Sequence, residues 1–359
     1  MIKEYYKKTF LSAEKYNLYS SNEAIIKLER KLCKEFNVNY TLALNSGTSA
    51  LHCALIASGI SEGDEVIVPA LSVVMTIAPI IYQKAIPVFV DCQRDKIDFD
   101  YEDLQKKITT KTKAIIPVHL WGFSYNMTRL KKIAEEYGII IIEDACQALG
   151  SKWDKAYLGT IGDYGCFSMK DGKIISTGEG GFLLIKDNRA FEKIKYLRTH
   201  DFVTNDIEKS YNNCGYNYRL TNFQAILAYE QLAELNKLLQ QRKDFFSQMH
   251  NRLHLISSID FYKPFLEETP NYSSPVFFHK KGKQLSLLLS KYGVANSVGS
   301  FGLKPAYERE FLKKYVTKEL PNVSFLLNSS IALSLNMTFS KNDIDIICDK
   351  IIKCIEIIS

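Results

Sequence analysis

The sequence lacks any hydrophobic run long enough to cross a membrane. Its longest apolar runs, such as residues 139–142, fall far short of the roughly 20 apolar residues that a spanning helix needs. The opening stretch, Met1-Ile-Lys-Glu-Tyr-Tyr-Lys-Lys, has no apolar core of the kind found in secretory signal peptides. We therefore expect a soluble protein that stays in the cytoplasm.

Patterns that indicate several other classes of protein are also missing. The eight cysteines include no Cys-x-x-Cys pair, which disfavours a zinc ribbon or a redox dithiol, and we expect reduced thiols. No group of His, Cys and acidic residues has the spacing of metal ligands. The 46 Lys and Arg against 40 Asp and Glu give a net charge of only +6, without a basic tail, so nucleic-acid binding is not indicated.

What the sequence has instead is a regular alternation of strand and helix patterns. With 359 residues, 46% of them hydrophobic, the chain is long enough for two domains with sizeable cores. Between about residues 40 and 190, short runs rich in Val and Ile alternate with helical patterns, which predicts an α/β fold with a mostly parallel central sheet. We expect residues 1–250 to form this large domain, with an N-terminal arm, and residues 251–359 a smaller α/β domain.

The same patterns predict where helices and strands begin and end. Helices are expected over residues 48–57, 101–108, 127–137, 187–198, 284–292 and 342–357, with one long helix from residue 221 to about 250 that contains neither Pro nor Gly. Strands are expected over residues 41–44, 65–69, 86–90, 113–119, 138–143 and 182–185. Because ligands of parallel sheets bind beyond the carboxyl ends of the strands, a site is expected at residues 45–48, 69–76 and 144–147.

Two segments at these strand ends carry groups that suit a ligand. The turn Asn45-Ser46-Gly47-Thr48-Ser49 offers backbone amides and hydroxyls to a phosphate at a helix start, although on its own an ordinary helix cap is the commoner explanation. Asp144 ends a buried strand, where a carboxylate either faces a ligand cation or caps the next turn. Gln147 follows three residues later and is expected to face the same ligand.

Two further segments lie later in the chain. Residues 166–181 contain lysines beside a Gly-Glu-Gly-Gly turn, where an amine can be desolvated and become nucleophilic, although most lysines are solvated. Residues 215–225 open the long helix, and a capped helix start with aromatic packing also explains them. Together the four segments supply a phosphate cradle, a carboxylate, an amine and an amide donor. Pyridoxal 5′-phosphate needs such a set, so this cofactor is our hypothesis from the combination.

Five motifs spread over most of the chain then point to a family. They are Gly63-Asp-Glu-Val-Ile-Val-Pro69, Pro117-Val-His-Leu-Trp-Gly122, Glu143-Asp-Ala-Cys-Gln147, Thr177-Gly-Glu-Gly-Gly181 and Gly215-Tyr-Asn-Tyr-Arg219. Taken jointly, they make the chain resemble the DegT/DnrJ/EryC1/StrS sugar aminotransferases, a branch of the fold-type I pyridoxal-phosphate enzymes. The resemblance implies the fold-type I architecture and transamination with pyridoxal 5′-phosphate.

The resemblance also implies roles for individual residues. The Schiff-base lysine of the family lies five residues before the first Gly of Gly-Glu-Gly-Gly, which is Lys173, whereas Lys170 has no fixed role. Asp144 is expected against the pyridine nitrogen and Gln147 near the phenolic oxygen of the cofactor. The expected phosphate ligands within the chain are Gly47, Thr48, Ser49 and Ser168.

Two more positions bear on the active unit and on the cofactor ring. Asn217 matches an asparagine that, in the family, the partner subunit contributes to the phosphate site, so a homodimer is the expected minimal active unit. Val73 stands where the family usually stacks an aromatic ring on the cofactor, and the stacking energy of about 0.5–1.5 kcal/mol is lost with it. Because of this departure, an acceptor that is smaller or differently shaped is also considered.

The leading hypothesis is amino transfer, with Lys173 moving the proton between the donor Cα and the cofactor carbon. Glutamate is the expected donor, and the expected acceptor is a keto group of a nucleotide-linked sugar, for amino-sugar or surface-polysaccharide biosynthesis. The N-terminal arm, to about residue 25, and residues 295–307 are expected to face the acceptor. The alternatives are a small phosphorylated ketone or an inosose as acceptor, a sugar dehydratase, which in relatives replaces the lysine with histidine, and a non-catalytic module of the same fold.

Overall fold

A seven-stranded sheet lies at the centre of the computed structural model, which describes Glu4, Lys7 and residues 22–201, 212–316, 318–335 and 339–358. Most of the predicted N-terminal arm lies outside these described residues. The strands are β1 (Tyr40–Leu44), β2 (Glu65–Pro69), β3 (Ile86–Val90), β4 (Thr112–Ile115), β5 (Ile140–Asp144), β6 (Lys152–Trp153), β7 (Ala156–Tyr157), β8 (Tyr164–Ser168), β9 (Gly181–Ile185), β10 (Asp260–Phe261), β11 (Glu268–Thr269), β12 (Val276–Phe278) and β13 (Ser330–Ala332).

Helices cover the sheet and form most of the C-terminal part. They are α1 (Glu23–Phe36), α2 (Gly47–Ala57), α3 (Val74–Tyr82), α4 (Tyr101–Lys107), α5 (Met127–Tyr137), α6 (Asn188–Leu197), α7 (Asn222–Leu232), α8 (Leu235–Leu253), α9 (Gly282–Lys291), α10 (Pro321–Ser329) and α11 (Lys341–Ile358). Short 3₁₀ turns occur at Leu120–Gly122, Ala306–Glu308 and Glu310–Tyr315. No described helix is both long enough and apolar enough to span a bilayer.

The order of the central strands is β1-β9-β8-β5-β4-β2-β3. Strand β9 runs antiparallel to both of its neighbours, and the other neighbouring pairs are parallel. Six strands therefore point in one direction, and their carboxyl ends meet at one edge of the sheet. This confirms the predicted α/β fold with a mostly parallel sheet.

Buried apolar residues form two clusters. The larger one surrounds the central sheet, and the second is built mainly from α8, α9, α11 and the sheet β10-β12-β13. The second cluster begins on α8 at Phe245, close to the predicted domain boundary. Segments beyond that boundary, including Leu312 and Val323, pack into the larger cluster. The division at residue 250 stays a prediction.

Local capping signals set several helix ends where they were predicted. Asn126 accepts a hydrogen bond from the amide of Arg129 at the start of α5, and Gly138 ends the helix in a left-handed conformation with φ of 66°. The carboxylate of Asp100 accepts the amides of Glu102 and Asp103 at the start of α4.

The single long helix predicted from residue 221 to about 250 is wrong. The chain turns at Ala233 and Glu234, so that α7 ends and α8 begins. Helix α7 packs against α1, whereas α8 packs against α11, and one straight helix does not reach both. The break therefore comes from tertiary packing, which overrides a sequence without Pro or Gly.

The strand predicted over residues 113–119 also ends earlier than expected, at Ile115. Pro117 has no N–H group to donate to a neighbouring strand, so regular pairing stops before it. Isolated bonds still hold the chain beside β5, since the amide of His119 donates to the carbonyl of Asp144 at 3.0 Å.

A buried carboxylate fixes the connection between β5 and β8. Glu143 is fully buried and accepts the amides of Gly159, Ile161 and Gly162 at 2.6–2.7 Å. It also lies 3.0 Å from Nε2 of buried His119. These contacts place the start of β8, and with it the residues that follow β8, relative to Asp144.

Candidate active site

Four segments meet at the carboxyl edge of the sheet, where the strand order brings the ends of β1, β2, β5 and β8 together. Their proximity is shown by Gly47, because a Cβ atom built there would lie 2.6 Å from Sγ of Cys146 and 3.0 Å from Cβ of Ser168. A Cβ built at Gly181 would likewise lie 2.4 Å from the carbonyl oxygen of Ser46. Only glycine allows the turn after β1 to pack so closely against the ends of β5 and β8.

The turn after β1, residues 45–49, has the geometry of an anion-binding helix start and is called the phosphate turn after its predicted ligand. Ser46 is the N-cap of α2, and its side chain accepts the amide of Ser49 at 3.0 Å. The hydroxyl of Ser49 donates to Oδ1 of Asn45 at 2.6 Å, so the polar groups of Ser49 are used within the turn. The amides of Gly47 and Thr48 precede the first intrahelical bond and are available to an anion at the positive end of the helix dipole.

Asp144 is the carboxylate of the site. It is the last residue of β5, and only 3% of its surface is exposed. Its Oδ1 accepts the amide of Cys146 at 3.1 Å, and its Oδ2 accepts the hydroxyl of Thr76 at 2.6 Å. A carboxylate can accept about four hydrogen bonds, so both oxygens keep capacity for a further donor such as a ring N–H.

Gln147 is held so that its amide nitrogen is the unused end. The backbone amide of Trp121 donates to Oε1 of Gln147 at 2.9 Å, which identifies the oxygen end of the side chain. Trp121 has a φ of 61°, a strained conformation for a bulky residue that turns its amide toward Gln147. The side chain of Asn271 donates to the carbonyl of Gln147 at 3.0 Å and fixes its backbone.

Lys173 lies on a tight loop between the antiparallel strands β8 and β9. The loop is closed by backbone bonds from Met169 to Gly180 and from Thr177 to Met169, each 2.8 Å long. The side chain of Gln231, on α7, both accepts from the amide of Ser176 and donates to its carbonyl. The Lys173 loop is thereby anchored to a helix that packs on the large domain.

Burial makes Lys173 different from its neighbour Lys170. Lys173 is partly buried and Lys170 is exposed. Burial lowers the pKa of the Lys173 amine below its ordinary value, while the nearby Asp144 carboxylate acts in the opposite direction. A larger fraction of Lys173 is therefore an uncharged, nucleophilic amine at neutral pH than is usual for lysine.

Three other predicted residues lie near the same edge of the sheet. Ser168 ends β8, and its hydroxyl accepts the amide of Lys170 at 3.3 Å. Val73 is the N-cap of α3 and is partly buried. Asn217 is exposed, and its backbone carbonyl accepts the side chain of Asn45 at 3.1 Å. Its own side-chain oxygen accepts a hydrogen bond from Nε of Arg219. Asn217 therefore lies at the surface of this chain, beside the phosphate turn.

The donor set suits pyridoxal 5′-phosphate. A partly desolvated amine, a buried carboxylate with spare capacity and an oriented amide nitrogen lie at one edge of the sheet, beside a helix start kept open by Gly47. Each matches one functional group of that cofactor, namely its aldehyde, ring nitrogen, phenolic oxygen and phosphate. Among the described residues, no group of three or more His, Cys, Asp or Glu is arranged to hold a metal ion.

Several residues of the site were not predicted from the sequence. Thr76 lies within the predicted strand-end region 69–76, and this position was the available signal; the helix that carries it was not predicted. Trp121 was seen only as part of a motif, and its left-handed backbone has no sequence signal. Asn271 and Gln231 reach the site from distant parts of the chain, so no local pattern identifies them.

Comparisons with known proteins show the family of the chain. The model of the DegT/DnrJ/EryC1/StrS aminotransferase family matches residues 1–352. GDP-perosamine synthase of Escherichia coli O157:H7 is 32% identical over 303 residues, which cover 84% of this chain and 75% of that protein. The spore coat polysaccharide biosynthesis protein SpsC of Bacillus subtilis (strain 168) is 26% identical over 346 residues, covering 91% of this chain and 88% of that protein.

A solved structure gives the same result. Spr1654 from Streptococcus pneumoniae, in its PLP form, is 26% identical and superimposes with a TM-score of 0.90. The match covers 99% of this chain and 97% of that chain. The likeness confirms the fold-type I architecture expected from the sequence.

The close packing at Gly47 gives a prediction. We expect Gly47→Ala to weaken cofactor binding about tenfold or more, or roughly 1.4 kcal/mol, because the new methyl group pushes the phosphate turn away from Cys146 and Ser168. Helix propensity alone favours alanine over glycine, and on that ground the substitution would stabilise the protein rather than weaken it. Titration of the apoprotein with pyridoxal 5′-phosphate measures the dissociation constant.

The double variant Gly47→Ala/Cys146→Ala is the matched control. It removes the sulfur atom that the new methyl group meets, and we expect part of the lost affinity to return. Unchanged binding by Gly47→Ala would show that the close approach is not needed.

Proposed function

Because the chain belongs to the DegT/DnrJ/EryC1/StrS aminotransferase family and is a pyridoxal-phosphate-dependent transaminase, we propose that it moves an amino group from glutamate to a keto group of a nucleotide-linked sugar. The observation that carries the proposal is the partly buried Lys173 amine, which lies near enough to the buried Asp144 carboxylate to interact with it. The relatives named GDP-perosamine synthase and spore coat polysaccharide biosynthesis protein support the class of acceptor.

In this proposal each residue has a separate task. The bound cofactor supplies an electron sink for negative charge on the donor carbon. Lys173 would hold the cofactor aldehyde through its ε-nitrogen until the donor amine takes its place, and the released ε-amine would then take the proton from the donor Cα, a task that contributes about 10²–10⁴-fold in rate. Asp144 would accept the ring N–H and keep that nitrogen protonated. Nε2 of Gln147 would donate to the phenolic oxygen, and the amides of Gly47 and Thr48 would bind the phosphate.

Reductive trapping tests the role of Lys173. When the protein is mixed with pyridoxal 5′-phosphate at neutral pH and reduced with borohydride, we expect the adduct at Lys173 and not at exposed Lys170, because burial lowers the pKa of the Lys173 amine. Peptide mass spectrometry locates the adduct. Lys173→Ala is expected to abolish it, and Lys170→Ala is the matched control. A reducible adduct at another lysine of Lys173→Ala would contradict the assignment.

The surface around Asn217 supports a homodimer. On α3, Met75 and Tyr82 are seven residues apart on one helix face, and 56% and 60% of their surfaces are exposed. The Tyr82 ring lies 5.6 Å from that of buried His52, whose Nδ1 lies 2.8 Å from the hydroxyl of Tyr218. The exposed apolar face of α3 therefore adjoins Asn217, and we propose that a second copy of the chain covers it. Asn217 of each copy then reaches the phosphate site of the other.

Mixing two impaired variants tests the shared site. Asn217→Ala alone is expected to lose about tenfold or more in cofactor affinity, since a hydrogen bond to a charged phosphate is lost. If Asn217 serves the other subunit, a mixed dimer of Lys173→Ala and Asn217→Ala contains one intact site. We expect an equal mixture, unfolded and refolded together, to recover about a quarter of the wild-type activity by random pairing. No recovery above the separate variants would place both residues in one chain's site.

The acceptor is proposed to meet residues 295–307. The amide of Ala306 donates to the carbonyl of Ala70 at 2.9 Å, which brings this segment beside the one that contains Val73. Within the same segment, 65% of Phe301 is exposed. The aliphatic Val73 leaves more room between these two segments than an aromatic ring would.

Single-turnover measurements test the acceptor class. The protein is loaded with the amino form of the cofactor, and a nucleotide-linked keto-sugar is added. We expect the cofactor to convert to its aldehyde form, and visible absorbance measures this conversion. A small phosphorylated ketone and an inosose are tested beside it. Conversion by one of these two and not by the nucleotide sugar would replace the proposed acceptor. The reverse half-reaction with glutamate, compared with glutamine, tests the donor.

We also propose that the protein acts in the cytoplasm. All eight cysteines are unpaired in the structure, and five of them are buried. A chain with unpaired thiols suits a reducing compartment, which supports this location.

A further inference from the structure

Thr76 makes a buried contact with the carboxylate of the site. Thr76 has no exposed surface, and its hydroxyl donates to Oδ2 of Asp144 at 2.6 Å. The two residues are 68 positions apart in the chain and come from α3 and β5. We propose that Thr76 is a positioning residue that fixes the Asp144 carboxylate for cofactor binding. This inference rests on the proposed role of Asp144 against the ring nitrogen.

The contact determines the plane of the carboxylate. The terminal torsion of an aspartate side chain is broad, so an isolated carboxylate rotates over a wide range. In this site Oδ1 is held by the amide of Cys146 and Oδ2 by the hydroxyl of Thr76. Two donors from two different elements leave one orientation. Without Thr76, the hydrogen bond from the amide of Cys146 holds only Oδ1, and one such bond does not fix the plane of the carboxylate.

The hydroxyl is directed away from its own helix. A threonine in a helix commonly bonds back to a carbonyl three or four residues earlier. Here the backbone amide of Thr76 makes the local bond, to the carbonyl of Val73 at 3.1 Å, and the hydroxyl crosses to Asp144. A charge-assisted bond of 2.6 Å between two buried groups is at the short, strong end for O–H···O⁻ contacts. The first turn of α3 thus links Asp144 to Val73, the residue proposed to face the ring.

The test compares isosteric variants. Thr76→Val keeps the shape and removes the donor, whereas Thr76→Ser keeps the hydroxyl. Thr112→Val is the matched control, because Thr112 is also buried and its hydroxyl also donates to a carboxylate, Oε2 of Glu65 at 3.2 Å, but it begins β4 at the opposite edge of the sheet. Asp144→Asn serves as the reference for loss of the proposed charge.

We expect Thr76→Val to raise the dissociation constant of pyridoxal 5′-phosphate about tenfold, which corresponds to 1.4 kcal/mol. The visible band of the bound cofactor responds to the charge beside its ring nitrogen. We expect Thr76→Val to shift this band in the same direction as Asp144→Asn, but less. Thr76→Ser should restore both values, and Thr112→Val should leave both unchanged while lowering the melting temperature of the apoprotein about as much as Thr76→Val does.

The outcomes separate this inference from the proposed function. If Asp144→Asn weakens binding and shifts the band but Thr76→Val does neither, Thr76 is not a positioning residue and the proposed function stands. If Asp144→Asn itself changes nothing, the proposed role of Asp144 fails first. A Thr76→Ser variant that behaves like Thr76→Val would also overturn the inference. Should Thr76→Val not fold, Thr76→Ala removes the same hydroxyl and takes its place in the comparison.

Discussion

The site depends on keeping an amine and a carboxylate close together where water is largely excluded. Burial disfavours the charged form of Lys173 and lowers the pKa of its amine. Asp144 accepts two hydrogen bonds, from the hydroxyl of Thr76 and the amide of Cys146, and its carboxylate is near enough to the Lys173 amine to interact with it. The Lys173 amine is the proposed reactive partner, because its uncharged form is the nucleophile. The difference between the two environments, rather than either residue alone, makes the pair suited to the proposed chemistry.

Backbone geometry at the sheet edge makes that proximity possible. The ends of β1, β5 and β8 approach so closely that a side chain at Gly47 or Gly181 would overlap its neighbours. The fully buried Glu143 accepts hydrogen bonds from three backbone amides and so holds the β5–β8 connection against the end of β5. Hydrogen bonds that the side chains of Gln231 and Asn271 donate then anchor the Lys173 loop and the Gln147 turn to elements outside the sheet. The functional groups are thus placed by rigid backbone, which lowers the ordering cost that a ligand would otherwise meet.

Features with local physical causes could be predicted from the sequence, and features with tertiary causes could not. The bounds of β2, β3 and α5 follow from hydrophobic pattern and caps, and they agree with the structure. The break between α7 and α8 could not be found, because it reflects different packing partners in a segment with uniformly good helix formers. Site residues at strand ends could be predicted, because the topology of a parallel sheet brings those ends together. The inward turn of the Thr76 hydroxyl and the left-handed Trp121 depend on neighbours that are distant in sequence.

The two halves of the proposed reaction differ in how closely their residues are packed. Groups proposed to face the cofactor lie at strand ends in a close-packed environment, where Asp144 is 3% exposed and small changes of volume affect the packing. The elements proposed to face the acceptor or the second subunit are exposed, as Phe301 and Tyr82 are. Core packing therefore constrains the cofactor half strongly and the acceptor half weakly. It follows that acceptor choice can change through surface segments while the sheet edge stays fixed. The aliphatic Val73 is proposed to lie where the two halves meet, and its volume would then act on both cofactor binding and acceptor fit.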